Sequence, residues 1–294
     1  MTGVLNVNKP PSFTSHDVVA VVRKLLQEKQ IGHLGTLDPL ATGVLPLAIG
    51  TATRLVEYGS FSKEYEGVCL LGKTTDSCDV TGRILTEKST EGLTSERAIQ
   101  ETLKLKFITE QKPPMVSAVK TGGRKLYELA RKGITVERKA RPIQIDKIEV
   151  LSIQLPRVSF RVVCSTGTYI RVLCETLGEA LGVGGCMEEL KRTRVGPFTL
   201  RDALSLEEIQ KRVEAQNLSS MLLPSSLLVS HLREIQLNEA ELNALCMGQK
   251  LKSDRVEMGT FRVMNAQDRL CAIAQNLSEG ILKPSKVFGL EGIL

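Results

Sequence analysis

One stretch limits the folding options of this chain more than any other: Ile31-Gly32-His33-Leu34-Gly35-Thr36-Leu37-Asp38-Pro39-Leu40-Ala41-Thr42-Gly43. Its three glycines, Asp-Pro step and sparse apolar positions offer no helical or strand period. Asp38 precedes proline and is pushed away from α geometry. The stretch therefore reads as a loop. Before it, Val4 to Val7 predicts a short strand ending in the turn Lys9-Pro10-Pro11-Ser12. A helix is expected from about Ser15, with Val18, Val22, Leu25 and Leu26 on one face and Arg23 and Lys24 elsewhere. After the loop, Val44 to Ile49 returns to strand character.

Tyr65 to Leu71 predicts a strand closed by the turn-rich TTDSCDVTG. Ser95 to Phe107 has a helical pattern, and Pro156 separates expected strands at Ile145–Leu155 and Val158–Cys164. A helix near Tyr169–Leu181 should stop at Gly182, and Ser205-Leu206-Glu207-Glu208 is a capping box that opens another. Strands with helices interspersed imply an α+β domain. A shift in composition near 216–235 predicts a boundary, and 294 residues make about two domains. Beyond it, Phe261–Met264, Cys271–Ala274 and Lys286–Phe288 would be the strands of a small β-rich module.

The net charge of +6 and pI of 8.9 are a modest basic excess, so the distribution of charge has to carry any argument for a polyanionic partner. The seven cysteines have no C-x-x-C spacing and no nearby histidine pair, which argues against a disulfide framework and a zinc site and for reduced thiols. The opening MTGVLNVNKP lacks the charged leader and apolar run of a signal peptide. No segment approaches the roughly eighteen apolar residues of a membrane span. The expectation is a cytoplasmic protein.

Three further segments bear on chemistry. In residues 120–141, Lys120, Arg124, Lys125, Arg131, Lys132, Arg138, Lys139 and Arg141 outnumber Glu128 and Glu137. Such clustering behind a glycine-rich entry suits an arm that neutralises phosphates, against the plainer reading of a solvated helix face. In CSTGTYIR, residues 164–171, Arg171 falls early in a helix, the end disfavoured for a cation by the helix dipole. A carboxylate partner would explain it, and Asp38 is the candidate. In KEYEG, residues 63–67, Tyr65 alternates with Gly67 and Cys69 on one strand face. Taken alone, Asp38 and His33 read as an Asp-Pro turn beside a surface histidine, and Tyr65 as a core residue.

Taken together these segments resemble the TruB family of pseudouridine synthases along nearly the full chain. The motifs, in the family's order, are NKPPSFTS (8–15), GHLGTLDPLATGVL (32–45), KEYEG (63–67), LGKTTDSCDVTG (71–82), QKPPMVSAVKTGGRKLYELARKG (111–133), CSTGTYIRVL (164–173) and LKRTRVGPF (190–198). The resemblance implies an α+β, mixed-sheet catalytic domain over residues 1–225, a basic thumb at about 120–141 and a small β-rich, PUA-like RNA-binding domain over 230–294. It implies isomerisation of the T-loop uridine of tRNA, position 55, with Asp38 as nucleophile. Tyr65 would stack on the target base and help remove the C5 proton, and Arg171 would pair with Asp38. His33 would help hold the T-loop with its base flipped out. Lys9, Tyr169, Lys120, Arg124, Arg131, Lys132, Lys139 and Arg141 complete the expected RNA contacts. Two positions depart from the family pattern: Ser12 stands where glycine is usual, and Ser77 where threonine is usual.

The reaction breaks the C1′–N1 bond, turns the uracil and rejoins it through C5. It has no redox change and no net addition of water, so no cofactor or metal is expected. Asp38 can attack C1′ or C6, or act as a base at C2′; the sequence leaves these open. The expected partner is tRNA through its T-loop and T-stem, with no membrane, no obligatory protein partner and a monomeric state. A non-catalytic RNA-binding protein, a guide-directed ribosomal RNA synthase and an aspartate-nucleophile glycosidase are the competing readings. The Asp38, Tyr65 and Arg171 set, the single-chain thumb and the basic arm weigh against them in turn.

Overall fold

In the computed structural model, residues 1–117, 119–130, 132–252, 257–277 and 280–293 are described. The largest sheet takes its order from strands far apart in sequence: Gly3–Lys9, Thr42–Ile49, Gly185–Val195, Lys63–Leu71, Arg157–Cys164 and Ile145–Gln154. Ile31–His33 adds to Thr42–Ile49, and Phe198–Thr199 adds to Gly185–Val195. Neighbours run antiparallel except at one step, where Lys191 and Arg192 pair in parallel with Thr42 and Gly43. A Cβ on Gly43, which has φ +101°, would lie 2.2 Å from the Arg192 carbonyl oxygen, so this close approach requires glycine.

Over Gly3–Lys9 and Thr42–Ile49 both faces of the sheet are covered, so these strands are buried almost continuously, whereas Lys63–Leu71 and Arg157–Cys164 alternate buried and open positions. On one face Leu5, Val7, Leu45, Leu47 and Phe160 share a core with Val18 and Val22 of the helix Ser15–Leu26, Leu173 and Leu177 of the helix Ile170–Leu181, and Ile209 of the helix Leu206–Glu214. On the other, Val4, Val44, Ala48, Val195 and Phe198 pack with Leu228, Val229, Leu270 and Ile273. The helix ends follow the local sequence. Thr14 and Ser205 each form a capping box, with Asp17 and Glu208 respectively, and Gly182 closes its helix in the left-handed conformation.

The eleven-residue strand Gly185–Val195 lies in the middle of the sheet, although no strand is expected there from the sequence. Its run of charge conceals the alternation that buries Leu190 and Arg192. Ile31–His33 is a short strand within the stretch read as a loop. TTDSCDVTG does not simply end a strand, since Lys73–Thr75 pairs with Ile84–Glu87.

Residues 233–287 contain a second sheet, in the order Arg233–Ile235, Gly259–Met264, Leu270–Asn276, Ile281–Val287 and Leu251–Lys252. Phe261, Val263, Ala272, Ala274, Leu282 and Leu245 form its own core. Leu245 belongs to a helix, Glu239–Cys246, that the strand pattern leaves unanticipated. The last strand begins at Ile281, ahead of the expected Lys286, and Phe288 lies beyond its end, with Arg54 4.9 Å over its ring. All seven cysteines are free thiols, and no described helix is long and apolar enough to cross a membrane.

Candidate active site

Asp38 projects from the loop that follows Ile31–His33, and several separate contacts fix that loop. Ser15 Oγ accepts from Leu37 N at 2.9 Å and donates to Leu37 O at 3.2 Å. Ser12 N donates to Pro39 O at 2.9 Å, and Ala41 N to Asp38 O at 3.0 Å. Ser12, in place of the family's usual glycine, adopts φ +65°. The turn is retained at the cost of a left-handed serine, about 1–2 kcal/mol.

Two buried cations hold the loop from below. Lys9, expected to contact RNA, is instead fully buried, and its ammonium donates to the carbonyls of Pro10, Phe13 and Pro39. With its protons directed at backbone oxygens it is not free for a phosphate. Burial lowers its pKa to about 8. Arg192, likewise fully buried, donates through Nε to Val44 O at 2.7 Å, Nη2 to Gly35 O at 3.0 Å and Nη1 to Thr36 O at 3.4 Å. Arg192 sits unremarked inside the LKRTRVGPF motif; its period-two spacing from Leu190 is the signal that assigns it to the buried face.

Arg171 is where the catalytic candidates meet. It lies one residue into the helix Ile170–Leu181, and its side chain is 3% exposed. Nη2 donates to Asp38 Oδ1 at 3.2 Å, and Nε lies 2.9 Å from Oδ2 in an ion-pair contact off the N–H axis. The other donors face Ser77 O at 2.9 Å, Val116 O at 2.9 Å and Asp79 Oδ2 at 3.7 Å. Asp79 is itself 5% exposed and accepts from Ser77 Oγ at 2.8 Å and from Thr81 N at 3.0 Å. Ser77, the second departure from the family pattern, thus keeps a hydroxyl on Asp79. A guanidinium between two carboxylates is held from both sides, which explains how a cation is tolerated at this helix end.

Desolvation raises the pKa of Asp38, Arg171 opposes the rise, and Asp79 adds to it; the net displacement is upward. A third of the Asp38 side chain remains open to solvent. That access and the two-point contact with Arg171 favour the carboxylate. Tyr65, 7% exposed, points into the main core from the strand Lys63–Leu71, on the same face as Gly67 and Cys69. Burial raises its phenol, Arg192 pulls it back, and Asp38 is close enough to push it further up. The structure therefore brings Asp38, Arg171 and Tyr65 to one place.

His33 packs edge-on against His16, with ring centroids 5.4 Å apart. Burial first, then the charges of His16, Arg192 and Lys63, lower its pKa to about 4, so the ring is neutral at physiological pH. Tyr169 caps the Arg171 helix, its backbone held on both sides by Gln111: Tyr169 N donates to Oε1 at 2.9 Å, and Nε2 donates to Tyr169 O at 3.3 Å. The basic insertion is rooted by pairing of Glu110–Gln111 with Arg141–Pro142 and carries a hairpin and the short helix Leu126–Ala130. Arg124, Lys132, Lys139 and Arg141 are exposed on it, while Arg138 folds back onto Pro113 O at 3.0 Å. Arg131 and the side chain of Lys120 lie outside what the structure describes.

The family profile for the "TruB family pseudouridylate synthase (N terminal domain)" matches residues 23–170, and that for the "tRNA pseudouridylate synthase B C-terminal domain" matches residues 171–230. A protein of Heliobacterium mobile named tRNA pseudouridine synthase B is 44% identical over 98% of this chain and 95% of its own length. One of the same name from Clostridium tetani is 39% identical over 95% and 97%. Among solved structures, a Cbf5-Nop10-Gar1 complex contains a chain that matches with a TM-score of 0.77 and 27% identity, covering 97% of this chain and 84% of that one. A chain of an H/ACA RNP bound to a substrate RNA containing 2′-deoxyuridine matches over the same shares with a TM-score of 0.75 and 27% identity. With a buried arginine clamped between two carboxylates at the mouth of a loop matching GHxGTLDPxATG, and relatives of this identity along its length, the chain belongs to the TruB family of pseudouridylate synthases.

Proposed function

We propose that this enzyme isomerises uridine 55 in the T-loop of tRNA to pseudouridine, with Asp38 as the nucleophile. The observation that carries this reading is the two-point contact of Arg171 with a carboxylate that stays open to solvent. Arg171 and the loop contacts fix the direction of attack before substrate arrives, so little reorganisation is needed at the reacting carbon. The carboxylate bonds to the uridine at C1′ or C6, or takes the C2′ proton; the glycosidic bond breaks, the freed uracil turns, and C5 joins C1′. In this reading Tyr65 stacks on the base once the base enters the site and assists loss of the C5 proton. Extruding a base costs a few kcal/mol, and stacking on an aromatic ring returns about 1–3 kcal/mol. Tyr65 therefore offsets much of that cost, and His33, neutral and partly buried, fills the space near the displaced base.

In this reading residues 1–225 form the catalytic domain and 230–294 a PUA-like module. The exposed cations Arg124, Lys132, Lys139 and Arg141 contact phosphates, which position the RNA without reading its sequence. The folded T-loop supplies specificity through its shape. No protein partner or second copy is needed to complete the site.

The test is tritium release from tRNA transcripts labelled at C5 of uridine. Release by the wild-type protein, lost in Asp38→Asn and lost when residue 55 is cytidine, is the expected result. Release that persists on the cytidine transcript moves the target away from position 55, and turnover by Asp38→Asn removes Asp38 from its role.

A further inference from the structure

Four cations surround the loop bearing Asp38, and three of them are committed. Lys9 and Arg192 are spent on backbone carbonyls, and Arg171 on Asp38, Asp79 and two more carbonyls. Lys63 is the exception. Its Nζ has one described partner, Thr166 Oγ1 at 3.2 Å, and it forms no ion pair among the described residues. It lies so close to the loop that a Cβ on Gly35 would stand 2.8 Å from Nζ. The ammonium thus occupies the seam between the nucleophile loop and the 165–168 turn that leads to Arg171, with donors to spare.

A half-buried lysine with no anion beside it is costly. Burial and the neighbouring Arg192 lower its pKa to about 8. Arg192, His33 and Cys164 are the titratable groups that face it, and none of them supplies a negative charge at neutral pH: Cys164 is raised to about 11 and His33 lowered to about 4. The position matters as much as the charge. Lys63 and Tyr65 are two residues apart on one strand, so their side chains leave the same face about 7 Å apart. A nucleotide whose base lies on Tyr65 carries its phosphate one sugar away, a span comparable to the spacing of Tyr65 and Lys63 along the strand.

We infer that Lys63 binds a backbone phosphate flanking the flipped nucleotide, and so anchors the sugar whose glycosidic bond is broken. This rests on the reading that the site takes an RNA uridine. Contact at this distance from the reacting carbon differs in kind from the exposed cations of the insertion. It acts on the placement of one nucleotide, so its loss shows in turnover at saturating RNA as well as in affinity.

The experiment pairs Lys63→Met and Lys63→Arg with T-arm RNA hairpins carrying a single neutral methylphosphonate, placed 5′ or 3′ to the target uridine. Affinity and single-turnover tritium release are measured for each pair, with thermal melts to confirm folding. In the wild type, one of the two methylphosphonates should weaken binding about tenfold and slow turnover. In Lys63→Met the same substitution should have no further effect, and the slope of log affinity against log salt should fall by roughly 0.7–0.9. Lys63→Arg should retain the discrimination. Equal methylphosphonate penalties in wild type and Lys63→Met, or an unaltered salt slope, overturn the inference. Should the wild type bind the hairpin without releasing tritium, the proposed reaction fails, while the binding measurements still decide whether Lys63 meets a phosphate.

Discussion

The loop from Leu34 to Ala41 and the insertion rooted at Gln111 and Arg141 both connect strands, yet they are built in opposite ways. The loop is gripped from beneath by Lys9 and Arg192 and from the side by Ser15, each through backbone atoms. The insertion is tied at its root, by Gln111 and Arg141, and leaves Arg124, Lys132 and Lys139 exposed. A segment that presents a reacting atom gains from fixed geometry, because misplacement by about an ångström can cost on the order of a hundredfold in rate. A segment that meets a polyanion gains from adaptability, since a phosphate contact asks for charge more than for exact placement. Positive charge therefore does different work in the two regions: in one it organises the protein, in the other it faces outward.

Four variants and one pH profile would break or sharpen this contrast. Asp38→Asn should lower single-turnover tritium release by on the order of 10⁴-fold while RNA affinity changes little; a modest loss would mean that the loop presents some other group. In the wild type, the acid limb of that rate should lie above the ordinary aspartate value of about 3.9, because the upward displacement of Asp38 delays formation of the carboxylate as pH rises. Arg192→Met leaves the carbonyls of Val44, Gly35 and Thr36 without their donor, so denaturant unfolding should show a loss of about 3 kcal/mol or more, accompanied by a fall in rate. If stability falls and the rate holds, the loop keeps its shape without its buried clamp. Charge reversal of both Lys132 and Lys139 should weaken RNA binding roughly tenfold and flatten its salt dependence, with melting unchanged. An unchanged salt slope would remove the insertion as a phosphate contact. Ser12→Gly should have the smallest effect, a gain of up to about 1 kcal/mol from relief of the left-handed serine; no gain would show that the turn is unstrained.

Much of this arrangement is legible in the sequence, and the exceptions share a cause. The strand with Tyr65, the helix opening at Ile170 and the loop around Asp38 follow from local period and turn chemistry. The proximity of Arg171 and Asp38 can be anticipated because a cation at a helix start requires an explanation. The strand Gly185–Val195 and the roles of Arg192 and Lys9 depend on something else, the register between strands far apart in the chain. In LKRTRVGPF, consecutive charges resemble a solvated surface and mask the period-two step from Leu190, and alignment with Gly43 shows that Arg192 points inward while Lys191 points out. Lys9 resembles a surface lysine in a proline turn until Pro39, thirty residues on, closes over it. The helix Glu239–Cys246 has a weak apolar face, its single fully buried side chain being Leu245, so its pattern carries little signal.

The parallel step between Thr42–Gly43 and Lys191–Arg192 has a consequence for biosynthesis. The guanidinium that grips Gly35 and Val44 arrives 157 and 148 residues after them in the chain. During translation the first fifty residues already contain both partners of the antiparallel pair Gly3–Lys9 and Thr42–Ile49. The loop bearing Asp38 waits for a contact of still higher sequence separation, and such contacts form late. Until the ribosome has released residue 195 or so, the nascent chain carries Asp38 on an unfastened loop, and a truncated product ending before Arg192 would keep the motif but not its folded shape.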